Sequence, residues 1–286
     1  MVGLDPFLYV AIATGFAVGR LPVAHPRWVG PLTLASIVLL IALLGASLAQ
    51  SPVAELLLTI PWAFGLVGLL LACTLLFVWL LPHGTPVRSG GPPSYPVYTL
   101  AFLLALLGGY GVGRAATLPY ASLITFALYA LLFLVGLELR VTRSALRTIG
   151  TPLAAGSLGA VVAAVLFALL SPMDLKLALA TTLGFGWYTL TGPIVATRLG
   201  ATAGLLAFLT NFLREDLTML LSPSLGPRLG PEALTAWGGA TSMDTTLYFV
   251  TRYGDPDSGS LALASGLVLT LAASLLVPAV LALPIP

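Results

Sequence analysis

The segment NFLREDLTMLL (211–221) places three consecutive charged residues in the middle of an otherwise apolar run. A second segment, GGATSMDTT (238–246), places one more acid in an apolar run, directly after a pair of glycines. A charge at the centre of a bilayer costs about 2.5–3.5 kcal/mol, so it persists where it faces the protein interior, pairs or lines a watery cavity. The two segments therefore predict a transport or ion site inside a membrane.

The composition of the whole chain indicates that lipid is its solvent. Of 286 residues, 58% are hydrophobic and 8% are charged, whereas a soluble globular protein has about 25% charged residues. A helical span needs about 20 residues, and the apolar runs are too continuous for a membrane barrel. The runs are roughly 4–19, 29–49, 53–81, 96–113, 118–139, 151–171, 176–198, 201–223, 233–252 and 259–283. We therefore predict an all-α polytopic membrane protein with about 8–10 transmembrane helices.

One linker predicts how the helices are divided into groups. The loop PHGTPVRSGGPPSY (82–95) is rich in glycine and proline. We predict a single transmembrane domain over 1–285, with a first helix group over 1–81 and a second over 96–285 that carries the site motifs.

Arginine and lysine predict the orientation, because cytoplasmic loops retain them. With ten spans, the odd-numbered loops hold Arg20, Arg27, Arg88, Arg140, Arg143, Arg147, Arg198 and Arg252, and the even-numbered loops hold Arg114, Lys176 and Arg228. This bias places the odd loops in the cytoplasm and both termini outside it.

Two pairs of similar segments indicate an internal repeat. GFAVGRLP (15–22) resembles GYGVGRAATLP (109–119), and ALLGASL (42–48) resembles FLVGLEL (133–139). With three spans between them, the copies would be inverted in the membrane, as in many transporters. Coincidence among small apolar residues is the alternative.

The stretch LGFGWYTLTGPIVATRLG (183–200) predicts an interrupted helix, because glycine and proline concentrate in it. The predicted break residues here are Gly184, Gly186, Gly192 and Pro193. Thr189 and Thr191 add hydroxyls, and Trp187 and Tyr188 could stack on a cation. An ordinary span with small residues for close helix packing is the alternative.

A polar stripe runs along the helix predicted over 201–223. Asn211, Glu215, Thr218 and Ser222 share one face by their spacing. Arg214 is expected to pair with a carboxylate, and Asp216 points about 100° away from Glu215. One arginine cannot neutralise both acids, so the stripe indicates a binding site, with a purely structural network as the alternative.

The segment 237–249 predicts a second interruption at Gly238 and Gly239. Asp244 would then begin a half-helix lined by Ser242 and other hydroxyl side chains. The alternative is a capping box from Thr241 to Asp244. Burial disfavours the charged form of an acid, so Asp244 could exchange a proton for a cation.

Other classes of protein find little support. His25 and His83 are both in loops, so no metal cluster or histidine-assisted nucleophile is expected in the membrane. There is no phosphate-binding loop, and a net charge of +2 is too small to indicate nucleic-acid binding. We expect no enzyme activity and no cofactor.

The motifs GFGWYTLTG (184–192), NFLRE (211–215), GGATSMD (238–244) and FLVGLELR (133–140) together resemble the lysine exporter family of prokaryotic inner-membrane proteins. The resemblance implies export of L-lysine and of analogues such as thialysine. It places the family's two important intramembrane acids on Glu215 and Asp244.

The match has two departures. Family members often carry an aspartate near the position of Asn211, and often SLSG where this chain has TLTG (189–192). These differences leave the exact substrate open. FLVGLEL and the interrupted run also resemble the core of cation/proton antiporters, which implies a distantly shared fold with crossed, interrupted helices.

The resemblance implies a mechanism that fits the chemistry of lysine. Two acids would meet its ammonium groups, and a half-helix N-terminus near Gly186 or Thr241 would take its carboxylate. Protons are the expected coupling ion, in an alternating-access cycle. The expected partners are L-lysine, protons and the lipid bilayer, and a homodimer is compatible with the sequence. A cation/proton antiporter and a structural membrane protein without transport remain alternatives.

Overall fold

The computed structural model describes residues 6–20, 29–50, 53–82, 95–138, 148–254 and 258–284. Within those ranges the chain is helical and contains no strand. The helices are α1 (Pro6–Gly19), α2 (Val29–Leu48), α3 (Val53–Leu80), α4 (Tyr95–Ala115), α5 (Tyr120–Glu138), α6 (Gly150–Leu170), α7 (Leu175–Thr182), α8 (Tyr188–Leu199), α9 (Ala201–Leu229), α10 (Pro231–Gly238), α11 (Leu247–Phe249) and α12 (Gly259–Ala282).

Each apolar run predicted from the sequence coincides with helix, and two of the runs are interrupted. The run 176–198 is divided into α7 and α8, and the run 233–252 into α10 and α11. In the described part of the chain, four helices are long and apolar enough to cross a membrane, namely Val29–Ser47, Leu57–Leu80, Gly150–Leu170 and Gly259–Ala282. The count of 8–10 spans stays a prediction.

The helices form two compact units, the first comprising Met1–Val53 and Pro92–Val141, the second Ala54–Gly91 and Thr142–Pro286. This grouping differs from the predicted one, because α3 belongs with the later helices and α4 and α5 with the earlier ones. Most of the predicted linker (83–94) and the basic loop after α5 (139–147) lie outside the described residues.

In the first unit, glycines bring helix backbones into direct contact. At five of them an added Cβ would clash with a carbonyl oxygen of the facing helix, so only glycine fits. One of the five is Gly45 with Leu106. We call the others the four glycine contacts: Gly15 with Phe133, Gly19 with Leu137, Gly109 with Ala42, and Gly113 with Ala46. Residue numbers rise together in each pair, so α1 runs parallel to α5, and α2 runs parallel to α4.

The second unit packs its helices through small side chains. One core cluster contains Leu66, Phe167 and two alanines, and another joins Val78 to three alanines. Large apolar side chains on the outer faces of α6 and α12, such as Leu169 and Leu275, are exposed. An exposed leucine surface of this kind is suited to lipid contact.

Candidate functional site

The first interruption lies at 183–187, between α7 and α8, in the second unit. Phe185 and Gly186 have φ angles of 50° and 97°, which turn the chain out of the helix. A Cβ on Gly184 would clash with the side chain of Thr191, so this position also requires glycine. Two of the predicted break residues, Gly184 and Gly186, therefore lie in the turn.

The other two predicted break residues lie elsewhere. Gly192 and Pro193 are inside α8, past its first turn. Gly192 instead allows close packing, because an added Cβ would come within 2.9 Å of the Phe208 Cβ on α9. The side chains of Pro193 and Thr189 are outside what the structure describes.

Asn211 on α9 holds the first interruption in place. Its Oδ1 accepts a hydrogen bond from the Gly186 amide at 2.7 Å. Its Nδ2 donates to the carbonyls of Thr181 and Ala207, both at 2.9 Å. The side chain is 1% exposed, so these bonds satisfy polar groups that water does not reach.

The second interruption begins where α10 ends, at Gly238. Gly239 has a φ of 64°, and a short 3₁₀ segment, Gly239–Met243, follows. The Ala240 amide donates to the Phe185 carbonyl at 2.8 Å, which joins the two interruptions directly. This hydrogen bond brings the irregular backbone of two broken helices together in the protein interior, where broken helices are tolerated.

The hydroxyl side chains of the second interruption bind backbone carbonyls. Thr241 Oγ1 donates to the Gly238 carbonyl at 2.9 Å, and Ser242 Oγ donates to Ala262 on α12 at 2.9 Å. Asp244 Oδ1 accepts from the Thr245 amide at 2.6 Å. The predicted capping box is therefore absent here, and Asp244 lies in the turn before α11 instead of beginning a half-helix.

Arg214 also differs from expectation, because its hydrogen bonds go to carbonyls and not to a carboxylate. Nε donates to Trp237 at 2.8 Å and Nη2 donates to Ala236 at 2.9 Å. These carbonyls are at the C-terminal end of α10, where the helix leaves them without intrahelical partners. A cation is stabilised at a helix C-terminus by the helix dipole.

Two of the three acids, Glu215 and Asp216, are buried and incompletely paired. Glu215 is 2% exposed and Asp216 is 3% exposed. In the described part of the chain, Glu215 Oε1 and Asp216 Oδ2 have no hydrogen-bond partner. Thr218 and Ser222, also on the predicted stripe, donate to the backbone of their own helix.

The acids of α9 and of the second interruption lie close to one another. Glu215 is near enough to Asp244 and Asp216 to interact electrostatically with both. Thr245 stands beside Asp244, and its Oγ1 donates a hydrogen bond to Asp244 Oδ1 at 3.2 Å. Neighbouring negative charges repel, so such a cluster favours a bound proton or cation.

The aromatic residues of the first interruption have different environments. Tyr188 is buried, packs edge-on against Phe208 and Phe212 at 5.3 and 5.7 Å, and interacts electrostatically with the three acids. Trp187 is half-buried, and its carbonyl accepts a hydrogen bond from Thr191 Oγ1 at 2.8 Å.

Several backbone amides around the two interruptions donate to groups within the protein. The amides of Gly186, Trp187 and Tyr188 donate to Asn211, Gly184 and Gly186. The Ala240 amide, beside Thr241, donates to Phe185. The expectation that a half-helix N-terminus near Gly186 or Thr241 takes a carboxylate is therefore not supported.

Sequence reasoning missed Phe185. Its carbonyl accepts the bond that joins the interruptions, and its ring centroid lies 6.0 Å from the Arg214 guanidinium carbon. The available signal was its position between two glycines. Within the described ranges, no group of three or more His, Cys, Asp or Glu side chains could hold a metal ion.

Comparison with known proteins gives consistent results. The profile of a family described as lysine exporter LysO matches residues 100–281. The Escherichia coli protein Lysine exporter LysO is 30% identical over 233 residues, which cover 76% of each chain. A Haemophilus influenzae protein, whose name offers lysine export as a provisional function, is 28% identical over 53% of this chain and 80% of its own length.

No solved structure matches the chain. The family profile covers more than half of the sequence and includes both interruptions and all three acids. Together with the apolar helices, these relationships identify a multi-pass inner-membrane protein. The chain belongs to the lysine exporter LysO family.

Proposed function

We propose that this protein exports L-lysine, and analogues such as thialysine, from the cytoplasm in exchange for protons. The observation that carries the proposal is Glu215, which is buried with no hydrogen-bond partner for Oε1 in the described structure and lies close to Asp244. Two acids placed near each other inside a protein accommodate a proton or a cation between them more readily than two negative charges. Family membership supports lysine as the cation.

The substrate chemistry fits this arrangement of charges. Lysine at neutral pH has two ammonium groups and one carboxylate. Glu215 and Asp244 would bind the ammonium groups, and Tyr188 would contribute its aromatic face. Asp216, whose Oδ2 has no hydrogen-bond partner in the described structure, is a further acceptor near Glu215.

Protons would supply the driving force. Moving one positive charge outward against a membrane potential costs about 2.3 kcal/mol per 100 mV. In the proposed alternating-access cycle, the acids protonate on the outside and release lysine there. They lose the protons on the cytoplasmic side and bind lysine again.

The four glycine contacts support an inverted repeat in the first unit. In the similar segments, the two glycines of α1 correspond to those of α4, and their contacts on α5 correspond to those on α2. The contacts of α1 with α5 are therefore repeated between α4 and α2. Parallel α1 and α5, and parallel α2 and α4, are also what ten alternating spans require. We propose this topology, with both termini outside the cytoplasm and, as in cation/proton antiporters, with crossed broken helices.

Radiolabelled lysine counterflow in proteoliposomes, with and without a proton gradient, tests the function. We expect exchange by the parent protein, stimulation by an opposing proton gradient, and background rates for Glu215→Gln and Asp244→Asn. Asp174→Asn is the matched control. Asp174 is an exposed N-cap of α7 whose side chain accepts from Leu177 N, and asparagine caps about equally well.

Three outcomes would contradict the proposal. Full exchange by correctly inserted Asp244→Asn would remove that acid from the mechanism. Cation-driven proton flux indifferent to lysine would indicate a cation/proton antiporter. No transport by the parent, with normal folding of the charge-neutral variants, would indicate a structural role.

A further inference from the structure

One nitrogen of the Arg214 guanidinium has no hydrogen-bond partner in the described structure. The side chain is 0% exposed, and Nε and Nη2 are bound to the carbonyls of Trp237 and Ala236. Nη1 is buried and has no hydrogen-bond partner among the described residues. An unsatisfied donor is costly inside a protein, and a guanidinium is built to bind a carboxylate.

Arg214 is also the only basic side chain that is buried among the residues that the structure describes. The acids Glu215 and Asp216 follow it directly on α9, and Asp244 interacts electrostatically with Glu215. An amino acid entering such a site would bring its own carboxylate close to negative charges. A positive group is needed to counter that repulsion.

Four backbone amides that were candidates for binding a carboxylate already have partners within the protein. The amides at the first interruption donate to Asn211 and to neighbouring carbonyls, and the Ala240 amide donates to Phe185. Arg214, by contrast, is held at two points by the end of α10, so its guanidinium is fixed before any ligand arrives. A preorganised donor loses less freedom on binding.

We infer that Arg214 Nη1 binds the α-carboxylate of the substrate, so that the site selects an amino acid over a diamine of the same length. This inference rests on the proposed lysine export and deepens it. Glu215 and Asp244 would recognise the two ammonium groups, which lysine and its decarboxylated form, cadaverine, share. Arg214 would recognise the only group in which they differ.

Competition binding to the purified protein tests the inference. Displacement of radiolabelled lysine by unlabelled lysine, lysinamide and cadaverine gives the preference for the carboxylate. We expect the parent to prefer lysine strongly. In Arg214→Gln, that preference over cadaverine and lysinamide should fall by about ten- to hundredfold, as for loss of a hydrogen bond between charged groups.

Two further variants complete the experiment. Arg214→Lys keeps the charge but not the fork of donors, and we expect it to retain part of the preference. Arg228→Gln changes an exposed arginine on the same helix and should leave the preference unchanged. Where Arg214→Gln binds too little labelled lysine, labelled cadaverine becomes the probe, and its binding should persist.

The preference is a ratio within one sample, so a smaller folded fraction does not alter it. An unchanged ratio in Arg214→Gln would overturn the inference, as would equal loss of lysine and cadaverine binding, which would mean that Arg214 only positions α10. A parent protein that exports lysine but binds cadaverine equally well would also overturn it. A parent that does not export lysine would instead refute the proposed function.

Discussion

The two helix interruptions meet at a hydrogen bond, yet they are held by different chemistry. The first, at 183–187, contains no charged residue, and the neutral amide of Asn211 holds it. The second carries Asp244 and is approached by the cation Arg214 at the end of α10. The first interruption thus forms a polar frame with its bonds satisfied, and the second supplies the ionisable group.

The difference matters because burial has different energetic consequences for a neutral amide and for an acid. A buried amide with its hydrogen bonds made is stable in one state. A buried acid responds to protons and cations, since either can neutralise it. A transport cycle needs an acid that can be neutralised by a proton or a cation, and neutral hydrogen-bonded groups that hold this acid in place.

The largest effect on stability is expected at the point where the interruptions touch. In Gly239→Ala, the new Cβ would clash with the Phe185 carbonyl and lie 2.8 Å from Arg214 Nη2. The alanine would also have to adopt the left-handed backbone conformation of this position. We expect the free energy of unfolding to fall by about 2–5 kcal/mol, measured by thermal unfolding in detergent.

Gly68→Ala on α3 is the control for this substitution. A Cβ there meets nothing within 4 Å, so alanine should be neutral or stabilising by up to about 1 kcal/mol. Equal stability of the two variants would mean that the contact between the interruptions does not hold the site.

A smaller effect is expected from breaking the frame of the first interruption. Asn211→Leu leaves the buried Gly186 amide without its acceptor, and we expect a loss of about 1–3 kcal/mol in the free energy of unfolding. Thr210→Val is the matched control on the same helix, because Thr210 Oγ1 is buried and has no partner among the described residues. If both variants lose equal stability, the Asn211 bonds are not what secures the turn.

The smallest effect is expected at Gly186. Its φ of 97° disfavours alanine, but an added Cβ would meet its nearest neighbour, the Gly238 carbonyl oxygen, at 3.2 Å. Gly186→Ala should cost about 1–2 kcal/mol and retain lysine counterflow at lower stability. A cost as large as that of Gly239→Ala would show that the first interruption is no more tolerant than the second.

Much of this site follows from local chemistry. Charged residues in apolar runs are unusual enough to identify Glu215 and Asp244, and paired glycines identify the interruption at Gly239. The hydrogen-bond partners of the charged residues were harder to predict from the sequence. Arg214 was expected to bind a carboxylate, yet it binds backbone carbonyls at the end of α10. Those carbonyls are free to accept its hydrogen bonds only because the helix stops there.

The extent of the first interruption was also decided by the structure and not by the sequence. Gly192 and Pro193 suggested a longer break, but α8 begins at Tyr188 and continues through both. Glycine has more than one use: at Gly186 it permits an unusual φ angle, whereas at Gly192 it permits close approach to Phe208. Sequence alone does not separate these uses.

The sequence by itself determined the lipid environment, the helical class and the acids of the site, because composition and the cost of burying charge are local properties. Tertiary structure decided which groups meet. The bond from Ala240 to Phe185, the bond from Gly186 to Asn211 and the closeness of Asp244 to Glu215 bring together residues whose proximity depends on how the helices pack. Hydrogen bonds are specific in distance and angle, so only the packed helices select these partners.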